Sequence, residues 1–174
     1  MGRHSWIVKL ILSAIAASVM FTFLASAALD GAGYISAMLA LLFFILLGVV
    51  FDIVGVAVTA AREAPFHAMA AHKRRGAREA ITLIRSANKV SSVCNDVVGD
   101  IAGIISGSTS ALLVARIHGD FNIGELTASL LIAGAVTALT VGGKAVGKSL
   151  AMTKSGEIIY GVGRVVSFFR GRMK

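Results

Sequence analysis

The sequence predicts an all-α integral membrane protein: four transmembrane helices, a cytoplasmic two-helix juxtamembrane segment and a C-terminal amphipathic helix. Charge is sparse, at 15% of 174 residues, where a soluble domain carries about 25%. Hydrophobic residues make up 56%, with a mean hydropathy of +0.83. They gather into runs of roughly 20, the length that crosses a hydrocarbon core. The 17 Lys and Arg are unevenly placed. Arg3 and Lys9 precede the first run. Arg62, Lys73, Arg74, Arg75, Arg78, Arg85 and Lys89 lie between the second and third. Lys144, Lys148, Lys154, Arg164, Arg170, Arg172 and Lys174 follow the fourth, and only Arg116 falls on the remaining side. Basic loops resist translocation, so the asymmetry puts both termini and the central basic segment on the cytoplasmic side of a multi-pass cell-membrane protein. Residues 1–174 read as a single transmembrane domain.

The first run covers about residues 10–29, with Trp6 placed before it as an interfacial anchor. Arg3, Lys9, an apolar stretch and then Ala25-Ser26-Ala27 also resemble a cleavable signal covering residues 1–27. The stretch is long for a signal, so retention as a span is expected. A turn, Asp30-Gly31-Ala32-Gly33, leads to the second run, about 35–61, interrupted by Asp52. Pro65, tolerated at a helix start, opens the first of two short helices, 64–73 and 77–88, hinged at Gly76. In the second, Ala77, Ile81 and Ile84 share a face from which Arg78, Glu79, Thr82 and Arg85 point away. The third run, about 91–115, carries Asn95, Asp96 and Asp100. The polar turn His118-Gly119-Asp120-Phe121-Asn122 precedes the fourth, about 123–141. At 157–169 Ile158, Ile159, Val162, Val165, Val166 and Phe169 form a stripe flanked by Arg164 and Arg170. That segment is too charged to span and is expected to lie on the membrane surface.

The net charge of +8 does not point to nucleic acid, because no aromatic-interleaved basic face accompanies it. Its expected partners are the bilayer and anionic lipids at the basic belt. Gly142 to Ser149 fits the phosphate-loop pattern G-x-x-x-x-G-K-[ST]. Such a loop must follow a buried strand so that free backbone amides meet phosphate, whereas this one follows an apolar span, with Lys148 placed to reach the interface. Nucleotide binding is not expected. Gly99, Gly103 and Gly107, four apart, would give a smooth face for close helix packing, within the subunit or between subunits, and Gly143 and Gly147 repeat the spacing. One cysteine, Cys94, excludes an internal disulfide. His4, His67, His72 and His118 are scattered. No Ser/His/Asp or Cys/His arrangement is visible, and an enzyme is not expected.

The acids carry more. Charged groups at membrane depth are costly and face a bundle interior or a wet cavity. Asp52 lies within the second run, and Asp96 and Asp100, four apart, share a face of the third. With Asn95, Ser91, Ser92 and Thr59 nearby, they offer oxygen ligands suited to a hard cation such as Mg²⁺. Asp52, Asn95, Asp96 and Asp100 are therefore the candidate metal residues. The alternative is hydration of Asp96 at the interface and pairing of Asp52 with a lysine.

A span ending near Phe51, then the basic segment AREAPFHAMAAHKRRGAREAITLIRSANKV, a span opening on Asn95-Asp96-Val97-Val98, and finally Gly143-Lys144-Ala145-Val146-Gly147-Lys148-Ser149-Leu150-Ala151 together resemble the transmembrane domain of the cyclin M / CorB / CorC divalent-cation transporters. There the corresponding stretches run roughly FSxxE-x-A, GNNLVN and GEIIPKTLA. The resemblance covers about residues 40–169 and rests on order and spacing. It implies a homodimer of three-span subunits that transports Mg²⁺, the short helices forming a cytoplasmic belt, with an N-terminal span added here. It also implies departures. Asp52 takes the place of the family's serine, and its glutamate falls at Gly55. Its paired asparagines fall at Asn95 and Asp96, with the third near Gly99 or Asp100. The glutamate of the last stretch falls at Lys144, a charge partner able to neutralise Asp52, Asp96 or Asp100. Neither the nucleotide-sensing CBS pair nor the family's C-terminal domain is among these residues, so regulation of that kind would be missing or supplied by a separate cytoplasmic protein. The expected function is divalent-cation transport, with a non-transporting scaffold or partner-docking module, held by an internal Lys–Asp pair, as the alternative.

Overall fold

The computed structural model describes residues 2–29, 33–121 and 123–172, and every element among them is helical. The helices are α1 (Gly2–Leu29), α2 (Tyr34–Ala60), α3 (Ala64–Ala71), α4 (Ala77–Arg85) and α5 (Ala87–Ser92). A π-helical segment (Val93–Gly99) follows, then α6 (Asp100–Phe121), α7 (Glu125–Thr153) and α8 (Ser155–Arg172). Three helices are long and apolar enough to cross a membrane: Tyr34–Ala60, Ala87–Phe121 and Glu125–Thr153. The first expected span, at 10–29, lies in α1, where the described apolar stretch is Ile11–Phe23. The side chain of Trp6, turn residues 30–32 and Asn122 fall outside the described residues.

The helix ends differ from expectation in a consistent way. The third spanning helix starts at Ala87, not at 91, because only Ser86 separates it from α4. The hydroxyl of Ser86 turns back onto the carbonyls of Thr82 and Leu83, at 2.8 and 3.3 Å. The fourth runs on to Thr153, past the expected end at 141. Residues 142–149 are therefore continuous α-helix, and their amides, spent on helical hydrogen bonds, cannot cradle a phosphate.

The chain divides into two compact units, Met1–Gly48 with Val97–Gly142, and Val49–Asp96 with Gly143–Lys174. In the first, α1 packs on α6, and Ala37 and Leu113 are buried beside Tyr34, Leu41 and Ile132. Tyr34 donates a 2.6 Å hydrogen bond to Asp120, tying the start of α2 to the end of α6. Thr109, 1% exposed, donates to the carbonyl of Ile105, and Ser106 and Ser110 bond back one turn likewise. Such back-bonding satisfies hydroxyls on a helix with no water at hand. Outward-facing side chains are large and apolar, among them Leu39, Phe43, Leu130 and Leu131. An apolar exterior on this scale calls for a non-aqueous surrounding or a partner.

The second unit has a core of Ala57, Val58, Phe66, Ala80, Ala151 and Ile159, drawn from the ends of α2 and α7 and from α3, α4 and α8. Three of these are alanine, and small side chains let helices approach closely. α3 closes on a left-handed residue, Lys73 (φ 54°). The amide of Arg74 bonds the Met69 carbonyl and that of Lys73 the Ala70 carbonyl, the pattern that usually selects glycine. Gly76 (φ 88°) then starts α4. Here α8 crosses within backbone contact: a Cβ on Gly76 would lie 2.6 Å from Arg164 N, and one on Gly163 would strike the Gly76 carbonyl oxygen and lie 3.1 Å from Ala80 N. The expected stripe of α8 is consequently divided. Ile159 is buried in this contact, while Val165, Val166 and Phe169 stay exposed.

One carboxylate binds this belt together. Glu63 Oε1 accepts hydrogen bonds from Arg85 Nε and His67 Nε2, both at 2.8 Å, with Arg85 Nη2 at 2.7 Å. The Arg85 bond, followed by that of His67, holds the Glu63 carboxyl below its ordinary value of 4.5.

Two outcomes are expected. Gly163→Ala overpacks the α4–α8 contact and lowers stability by about 1–3 kcal/mol, read as a fall in melting temperature in detergent. Because the folded pKa of Glu63 is depressed, its stabilisation is present above about 4.5 and is lost as pH falls below that value. Glu63→Gln should therefore show a smaller drop in melting temperature between pH 7 and pH 3 than the parent protein.

Candidate functional site

The second unit brings three separated stretches of chain together. On α2, Asp52 and Gly55 lie three residues apart and so on one face. Lys144 of α7 places Nζ 3.8 Å from Asp52 Oδ1, the two side chains 39% and 20% exposed. The approach is made by glycine on both sides of the lysine: Cβ atoms on Gly143 and Gly147 would lie 3.1 Å from Val49 Cγ2 and 2.6 Å from Ile53 Cγ1. α7 thus rests on α2 along Val49, Ile53 and Asp52. A carboxyl group on an apolar helix calls for a polar partner, and Lys144 is the one beside Asp52.

One turn further along α2, Asn95 fills the space over Gly55, where an added Cβ would fall directly on Asn95 Oδ1. Asn95 Nδ2 donates to Ser91 Oγ at 3.3 Å. Its Oδ1 is buried and receives no hydrogen bond. Buried acceptors are rarely left so, and this one is a hard oxygen. It lies in the π-helical segment, whose i→i+5 bonding occurs mostly in short stretches and frequently at functional sites.

The other expected residues are placed differently. Asp96 is exposed and accepts a 2.6 Å bond from Ser92 Oγ one turn back. Asp100 is exposed at the start of α6, and neither acid has an ion-pair partner among the described residues. The four-residue spacing that put them on one face assumed α-helical winding, and the π-helical segment interrupts it. Among the described residues no group of three or more His, Cys, Asp or Glu is disposed to hold a metal ion. Mg²⁺ ordinarily keeps several waters and takes only one or two carboxylates, so a small oxygen set is the relevant comparison. Thr59 bonds the carbonyl of Val56.

The glycines differ in what they meet within the subunit. Gly103 and Gly107, expected to pack, meet nothing within 4 Å, while Gly99 is half-buried. The close contacts fall at Gly55, Gly143 and Gly147, and at Gly48, whose added Cβ would sit 3.3 Å from Ala102 in the first unit. Gly48, and the packing role of Gly55, were missed by the sequence reading. Their seven-residue separation, two helical turns on one face, is the signal that marks them.

Comparison with protein-family models, with curated proteins and with solved structures found no match.

Gly55→Ala should displace Asn95 and lower stability by about 1–3 kcal/mol. In an Asn95→Ala background the same change should cost much less. Melting temperatures of the two single variants and the double variant give the coupling, and purely additive effects would mean that the two residues do not meet.

Proposed function

We propose that the chain is a multi-pass membrane module for transport of a divalent cation, with Mg²⁺ as the cargo, on the plan of the CorB-type transmembrane domain. α1 adds a fourth span and both termini lie on the cytoplasmic side. The supporting observation is the meeting of α2, the π-helical segment and α7, which gathers Asp52, the unpartnered Asn95 oxygen and Lys144. These are positions that the resemblance assigns to one site.

Counted from their outer ends at about 1.5 Å per residue, Asp52 lies about 27 Å along α2 and Lys144 about 28 Å along α7. Against a bilayer about 40–45 Å thick with its headgroups, which helices of this length cross from face to face, both stand in the cytoplasmic half of the span, on the side where an ion would enter. Lys144 then acts as a tethered cation on the Asp52 carboxylate. An entering Mg²⁺ carries two charges against its one, displaces it, and takes Asp52 and Asn95 Oδ1 as oxygen ligands while keeping part of its water. Closing the cytoplasmic side and opening the other completes an alternating-access cycle, and the return of Lys144 expels the ion. A homodimer with a separate cytoplasmic regulatory protein would suit this plan.

The direct contact of Lys144 with Asp52 supports a second reading, a non-transporting scaffold or docking module in which the pair is permanent. Two measurements separate them. In proteoliposomes Asp52→Ala should reduce Mg²⁺-dependent flux about tenfold or more, the equivalent of at least 1.4 kcal/mol of ion stabilisation, and parental flux in this variant rejects the transport site. Lys144→Glu should bring on Mg²⁺-dependent thermal stabilisation, which for a bound ligand reaches about 2.7 kcal/mol at a hundred times its Kd. A lower melting temperature with no response to Mg²⁺ favours the scaffold.

A further inference from the structure

We infer that the free face of α8 is an anchor for an anionic bilayer surface, the apolar stripe seated among the acyl chains and the neighbouring cations on lipid phosphates. α8 carries two apolar stripes. Ile159 and Gly163 are buried against α4. About a quarter-turn round, Ile158, Val162, Val165 and Phe169 follow at helical spacing and become more exposed toward the C-terminus. Ile158 and Val162 are half-buried, Val165 is 56% exposed and Phe169 61%. Phe168, 63% exposed, packs edge-on against Phe169. No described residue of the second unit covers these rings.

Their position says what does. α8 begins at Ser155, with Lys154 alone between it and the end of α7, a helix of spanning length and composition. A helix joined to a span by one residue is held at the membrane boundary. The charge is complementary to anionic headgroups. After Glu157 the chain has no acid but carries Arg164, Arg170, Arg172 and Lys174. On helical geometry Arg164 and Arg170 flank the stripe from opposite sides, as on an interfacial helix. The backbone of Arg164 abuts Gly76, which follows Lys73, Arg74 and Arg75, all exposed. The turn between α3 and α4 thus carries three more exposed cations next to the point where it meets α8. Each cation close to an anionic leaflet adds to the attraction, and none does so on a zwitterionic one.

The test places a fluorophore on the stripe. Trp6 is the sole tryptophan, so Trp6→Phe/Phe169→Trp reports from this face alone, and Trp6→Phe/Val165→Trp reports the same face should the first fail to fold. The variants are reconstituted in vesicles of phosphatidylcholine with or without phosphatidylglycerol, the acyl chains brominated near the headgroup. Anchoring predicts loss of about half or more of the emission in anionic vesicles, since such a face sits roughly 5–10 Å into the headgroup–acyl boundary, and clearly less in phosphatidylcholine alone. Replacing Lys73, Arg74, Arg75, Arg164 and Arg170 by Gln should remove the difference between the two lipids. Water-like emission without quenching overturns the anchor. So does blue-shifted, unquenched emission that becomes water-like when vesicles hold one copy each, which would mean that a second copy covers the face. Equal quenching in both lipids, or quenching that survives loss of the five cations, overturns the anionic selectivity.

Discussion

Opposite charges carried by two apolar helices have little alternative to finding each other, because the medium around such helices solvates neither. Asp52 on α2 and Lys144 on α7 meet this condition at 3.8 Å, and much of the second unit follows from how they are allowed to meet. Gly143 and Gly147 bring the backbone of α7 onto Val49 and Ile53. That fixes the register in which Ala151 reaches the core of Ala57, Val58, Phe66, Ala80 and Ile159. The ionic contact does not stand alone as a source of stability, since removing two charges from water is expensive. Its effect is on specificity. An α7 slid by one turn would leave a lysine and an aspartate facing hydrocarbon.

Much of the fold was legible in the sequence, and the reasons are plain for particular segments. The runs around 35–61, 91–115 and 123–141 announce themselves because about twenty consecutive apolar residues have few other uses. Their ends are not announced. α7 continues twelve residues past Val141 because Gly142-Gly143 is helical here, and hydropathy registers where apolar side chains stop, not where backbone hydrogen bonds stop. Ser86 was unreadable for a related reason: one residue breaks α4 from α5, and its hydroxyl supplies the partner that a longer loop would have provided. The π-helical segment has no compositional mark at all.

The candidate site divides along the same line. Lys144 as a charge partner and Asn95 as a ligand candidate were identifiable from residue type and order, and geometry brings both to α2. Asp96 and Asp100 were grouped by an α-helical count that the π-helical segment interrupts. The stripe at Gly103 and Gly107 is smooth, as the spacing indicated, but nothing in the subunit lies within 4 Å of it, because spacing shows that a face is smooth without showing what lies against it. On α8 the predicted stripe was real, yet too wide for one purpose, and the α4 contact took only the part that includes Ile159.

The single residue joining α7 to α8 has a mechanical consequence. The amide of Lys154 bonds the Leu150 carbonyl and that of Ile158 bonds the Lys154 carbonyl, so the one joining residue is hydrogen-bonded to both helices. On one side of it lies Lys144; on the other, Gly163 rides on Gly76 and Ala80 with backbone almost touching. With one residue between them, α7 and α8 have little freedom to turn independently, so the register that Asp52 and Lys144 set on α7 also limits where Gly163 meets Gly76 and Ala80.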